Sequence, residues 1–130
     1  HWGARKLVDQ KRGYGGYVLQ YAGRSLYVCG DSAWFDGFRQ IGQKFKPELA
    51  LLPIGAYDNP SGRDHHISPE EAIRAFIDLK SQTLIPMHFG TYRLSYEPIQ
   101  EPPQRLMKAA HKAGCLSHLH FMTEGVPEIF

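Results

Sequence analysis

Ser68-Pro69-Glu70-Glu71-Ala72-Ile73-Arg74-Ala75-Phe76-Ile77-Asp78-Leu79 is the stretch on which the fold turns. A serine at the cap, proline at the first helical position and glutamate three residues after the cap spell the start of a helix. Ala72, Ile73, Phe76, Ile77 and Leu79 then form its apolar side. Leu49 to Ile54, before it, is a continuous apolar run after Pro47-Glu48, the pattern of a strand covered on both faces. Thr83 to Met87, after it, is a short β run that delivers His88.

Farther upstream, Tyr17 to Tyr21 and Ser25 to Cys29 flank the turn signal Ala22-Gly23-Arg24 and predict an antiparallel hairpin. Residues 34–45 place Phe35, Phe38, Ile41 and Phe45 near helical spacing, with Gly37 and Gly42 weakening the pattern. Downstream, a long loop carries Pro98, Pro102 and Pro103, and Gln104 to Ala113 predicts a last helix stopped by Gly114. A short strand near Leu119 to Met122 closes the order β-β-α-β-α-β-α-β, an α/β (α+β) chain.

With 130 residues, 42% of them hydrophobic, the chain is one domain or part of one and has enough apolar content for a core. A net charge of +2, with Lys and Arg scattered rather than in a block, gives no case for nucleic acid as a partner. Cys29 and Cys115 match no CxxC or finger spacing, which argues against a zinc ribbon, and a reduced, cytoplasmic setting fits them. No apolar run approaches the roughly 20 residues of a membrane span. Position 1 is a histidine rather than an initiator methionine and falls inside a motif, so the expectation is a piece cut from a longer parent.

Three candidate ligands stand at the start of the chain or where strands end. They are His1 in His1-Trp2-Gly3-Ala4-Arg5, Asp31 in Cys29-Gly30-Asp31-Ser32, and His88 in Pro86-Met87-His88-Phe89-Gly90-Thr91. Two imidazoles and a carboxylate suit a borderline divalent metal. Gly30 lets the backbone turn sharply, so the Asp31 carboxylate can enter a cleft. Taken singly, Asp31 is equally a turn aspartate, and His88 a strand-end histidine held by backbone carbonyls. The loop Gly55 to Ile67 is longer than the usual connection. In it, Tyr57 has the chemistry to donate to a developing oxyanion, and His66 to contact a phosphate or act as an acid. Asp58, Arg63, Asp64 and His65 read as a solvated polar loop.

Together with Leu52-Pro53-Ile54-Gly55-Ala56-Tyr57, His66-Ile67-Ser68-Pro69-Glu70-Glu71-Ala72, Glu97-Pro98 and Glu101-Pro102-Pro103, these motifs resemble the metallo-β-lactamase superfamily. Within it they are most similar to the N-acyl-phosphatidylethanolamine-hydrolysing phospholipase D group and its bacterial relatives. The resemblance implies an αββα sandwich of which residues 1–130 are the C-terminal half, with the upstream half and its His-x-His-x-Asp-His motif absent. It implies two zinc ions per intact site, with His1 on the first metal, Asp31 bridging and His88 on the second. Asp31, Tyr57 and His66 would be the catalytic or cleft-lining residues. The reaction implied is attack on a lipid or small-molecule phosphodiester by a metal-bound hydroxide. Its other expectations are an isolated chain that is inactive, the missing half as partner, and peripheral membrane contact; self-association into a homo-oligomer also fits. Lactone or ester hydrolysis at the same metals, and a non-catalytic fragment that binds a partner through its open sheet face, stay as alternatives.

Overall fold

The computed structural model describes residues 15–58, 60 and 65–130. Among these, the hairpin is present as β1 (Tyr17–Tyr21) and β2 (Arg24–Val28), in register from Tyr17 opposite Val28 to Tyr21 opposite Arg24. Ala22 and Gly23 make its turn with positive φ, the left-handed geometry that matches the twist of a tight hairpin. β3 (Leu49–Pro53) pairs parallel to β2, and β4 (Thr83–Met87) pairs parallel to β3. The sheet order is β1-β2-β3-β4, antiparallel at one edge and parallel elsewhere.

Between the parallel strands run α1 (Gly37–Phe45) and α2 (Pro69–Leu79), and α3 (Glu101–Lys112) follows β4. α2 begins as its sequence dictates. The Ser68 hydroxyl accepts from the Glu71 N–H, and the Glu71 carboxylate accepts from the Ser68 N–H. Tyr27, Ala50 and Leu84 lie side by side across the strands and face the helices, where Phe38, Phe76, Leu79 and Leu106 complete the core. The other sheet face carries Tyr17 and Leu19, 70% and 57% exposed, beside half-buried Leu26, Val28, Leu49 and Leu51.

Three elements differ from expectation by more than a residue. α1 starts at Gly37, not 34, and Gly42 sits inside it for a packing reason. A Cβ at Gly42 would lie 2.5 Å from the Asp78 carbonyl oxygen, so only glycine lets α1 and α2 approach this closely. α3 starts at Glu101, because Pro102 and Pro103 occupy its first turn, where an N–H has no helical partner to lose. The expected strand at Leu119 to Met122 is not formed. After a 3-10 turn at Leu116–His118, only a bridge joins Leu119 to Leu84, with the His120 N–H donating to the Leu84 carbonyl. The chain then folds back on itself, with Glu128 holding the His120 ring and the Thr123 N–H.

Candidate metal centre

Because β2, β3 and β4 run parallel, the chain leaves all three at the same sheet edge, where a site can rest on a rigid frame. Beyond β2, the Cys29 N–H extends the ladder to the Leu51 carbonyl at 3.0 Å. Gly30, at φ 69°, then swings Asp31 outward. Beyond β4, His88 takes φ 60°, a left-handed conformation uncommon for a side-chain-bearing residue. This turns its ring back toward Asp31, and His88 Nε2 stands 3.0 Å from Asp31 Oδ1.

The third member of the cluster comes from the loop after β3. The His66 and His88 rings stack with centroids 5.3 Å apart and planes at 27°. One ligand atom from each of Asp31, His66 and His88 lies within 4.8 Å of the others, the group among the described residues that could hold a metal ion. His66 Nδ1 and His88 Nδ1 are buried without a hydrogen-bond partner. Burial, and then the neighbouring His88 ring, push the His66 pKa below the ordinary imidazole range, while Asp31 pulls against them. A neutral imidazole with an open nitrogen is the ligating form. Two imidazoles and a carboxylate converging on one point therefore suit a borderline divalent cation.

His1 lies outside the described residues, as do Asn59, Arg63 and Asp64. Tyr57 is buried, and its hydroxyl donates to Glu101 Oε1 at 2.8 Å. The Arg105 guanidinium sits over its ring at 4.6 Å and also pairs with Glu101 and Glu70. Burial and the bond to Glu101 raise its pKa, so the hydroxyl stays protonated and braces the loop against α3.

Glu97 is the residue that sequence reasoning left without a role. Only 8% exposed, its carboxylate accepts from the Ala56 N–H at 2.6 Å, the Asp58 N–H at 3.2 Å and the Ser95 hydroxyl. Burial alone would raise its pKa; the Ser95 hydroxyl and the backbone N–H groups outweigh burial and hold it below the ordinary carboxylate range. A glutamate between tyrosine and proline in a polar loop gives no sequence signal of such burial.

Residues 1–89 match the family model described as beta-lactamase superfamily domain. An uncharacterized protein of Mycobacterium tuberculosis is 39% identical over 114 residues, covering 85% of this chain and 30% of that protein. The N-acyl-phosphatidylethanolamine-hydrolyzing phospholipase D 1 of Caenorhabditis elegans is 33% identical over 136 residues, covering all of this chain and 38% of that enzyme. Among solved structures, a metallo hydrolase from the archaeon Ignicoccus hospitalis superposes with a TM-score of 0.67 at 26% identity, over 85% of this chain and 43% of that one. The chain thus spans well under half the length of each relative.

Proposed function

The chain belongs to the metallo-β-lactamase superfamily, and from that premise we propose that it carries part of the metal centre of a divalent-metal-dependent hydrolase. The observation behind this is the convergence of Asp31, His66 and His88 from three segments on one point. A zinc ion held there would supply an acidified water and a positive charge for a developing oxyanion. The chain's own groups have separable parts. Asp31 is acceptor-only and offers two oxygens, so it can serve two cations. His66 and His88 each offer one ring nitrogen to a metal at that point, and His88 Nε2 is the one beside Asp31. Tyr57 holds the loop from which His66 projects, and its hydroxyl would reach substrate only by leaving Glu101.

One carboxylate and two imidazoles cannot furnish the three ligands each that two catalytic zinc ions generally have. On this reading His1 and an upstream half of the domain supply the rest, and the 130 residues alone do not turn over substrate. The substrate class we propose is a phosphodiester of the N-acyl-phosphatidylethanolamine type. Its support is the likeness to the nematode phospholipase D over the whole of this chain. No helix among the described residues is long and apolar enough to cross a membrane.

The test is Asp31→Asn in the protein at its full natural length, with zinc content and rate measured against phosphodiesters and lactones. Both content and phosphodiesterase rate should fall together. Unchanged zinc and unchanged rate would remove the metal-centre reading. Lactone hydrolysis without phosphodiester hydrolysis would keep the metal and discard the substrate.

A further inference from the structure

We propose that Glu97 is a positioning residue of the metal centre: it fixes the His88 ligand by clamping together the loops that follow β3 and β4. This deepens the metal-centre reading and rests on it. The clamp can be followed atom by atom. Glu97 lies nine residues beyond His88 on the same loop, and its carboxylate reaches back to the loop after β3. There it takes the N–H groups of Ala56 and Asp58. Ala56 is itself left-handed, at φ 62°. Its neighbour Gly55 lies so close to His88 that a Cβ on Gly55 would overlap the His88 carbonyl oxygen. The Ile54 N–H, one residue earlier, donates to the Met87 carbonyl at 3.0 Å. The backbone of His88 is thus walled in by a loop whose own shape Glu97 sets.

The chemistry selects a carboxylate. Three donors converge on two oxygens: Ala56 N–H on Oε1, and Asp58 N–H with the Ser95 hydroxyl on Oε2. Only an acceptor-only group satisfies all three. Glutamine has nearly the same shape, but one oxygen becomes an NH2. The Ser95 hydroxyl can turn and accept from it; the Asp58 N–H cannot. Glu97→Gln therefore breaks one side of the clamp without opening a cavity.

The experiment compares wild-type protein of full natural length with Glu97→Gln and with Gly42→Ala. The latter disturbs the contact between α1 and α2 away from the site and controls for general destabilisation. Three quantities are read. The first is backbone amide exchange at Ala56 and Asp58 in metal-free protein. The second is the ring 15N shifts of His88, also metal-free. The third is zinc affinity by competition, with the visible spectrum of the cobalt(II) form. In Glu97→Gln, Asp58 exchange should accelerate while Ala56 stays protected, and the His88 ring shifts should move. Zinc should bind about tenfold more weakly, the size of effect seen when groups that orient a ligand are lost, with a changed cobalt spectrum. Gly42→Ala should lower the melting temperature and leave all three readings in place. Unchanged His88 shifts and an unchanged cobalt spectrum, with Asp58 exchanging faster, would overturn the proposal. So would Gly42→Ala reproducing the changes. Should Glu97→Gln fail to fold, Ser95→Ala removes one donor alone and should give the same signs at smaller size; no change there would also overturn it. If Asp31→Asn retains zinc, the metal reading falls, and the metal-free readings still decide whether Glu97 positions His88.

Discussion

Gly55 is buried, and its lack of a side chain is what allows the loops after β3 and β4 to touch. A methyl group there meets a backbone oxygen, which cannot swing aside as a side chain would. Gly55→Ala should therefore cost about 1–3 kcal/mol, the usual range for overpacking, and move His88 off Asp31. Urea denaturation and zinc content would read the two effects, and loss of stability without loss of zinc would show that His88 stays in place. Glu97 makes a pH-dependent contribution of definite sign. Its pKa is held below the ordinary glutamate range in the folded state. Its stabilisation is then present above the unfolded-state pKa and is lost as pH falls through the lower folded value. Near neutral pH, Glu97→Ala should destabilise by about 1–3 kcal/mol, the cost of leaving buried donors unpaired. The gap between mutant and wild type should close below the ordinary glutamate range. Denaturation midpoints across that pH series test it, and a gap that widens in acid would contradict the bonding described.

α2 stands on a cap that can be removed by one atom. Ser68→Ala leaves the Glu71 N–H without its acceptor and should cost about 1 kcal/mol, within the range measured for such caps. Thermal melting would show it as a drop of a few degrees. The cap matters to the site because Ser68 is two residues from His66, so the helix start anchors the end of the loop that delivers the imidazole. What could be read from the sequence, and what could not, follows from the range of each interaction. The helix cap, the apolar strands and the hairpin turn are local patterns, and they sit within a residue or two of where their composition put them. Gly42 looked like a weakness of α1, because the reason for a glycine there belongs to the facing helix. Pro102 and Pro103 looked like loop residues, though a first turn accepts them. The last strand is reduced to a bridge at Leu119, beyond which the chain folds back so that Glu128, eight residues on, holds the His120 ring. At the site, the strand-end positions of Asp31 and His88 were legible from glycine and apolar runs. The left-handed turn of His88, the commitment of Tyr57 to Glu101 and the burial of Glu97 were not, since each is set by a contact about 10 or more residues away in sequence.

One sheet with helices on one side has a second face to account for. In the order β1-β2-β3-β4, the apolar residues alternating with the core set include Tyr17, Leu19, Tyr21, Leu26, Val28, Leu49, Leu51 and, buried on β4, Ile85. On a strand facing water these positions are normally polar. β1, at the antiparallel edge, exposes Tyr17, Leu19 and Tyr21. An apolar sheet face open among the described residues, beside an edge with no partner strand among them, is a site of association. We read it as the surface on which the other half of an αββα domain would lie, in keeping with a chain that spans 30% of the mycobacterial and 38% of the nematode relative. Leu19→Glu separates this reading from that of a self-sufficient small domain. In the 130-residue chain alone, Leu19 is already 57% exposed. The charge should then change stability by about 0.5 kcal/mol or less, while reducing self-association and the binding of a hydrophobic dye. In the protein at full natural length, the same charge would be forced against a second sheet. It should cost about 1.5–3 kcal/mol, the worth of a buried leucine side chain, and more if the carboxylate finds no partner. Parallel urea titrations of both lengths give the comparison. A large penalty only in the longer protein supports the two-layer arrangement. An equally small effect in both would mean that this face stays open to water in the native molecule, and that a partner outside the chain, or none, covers it.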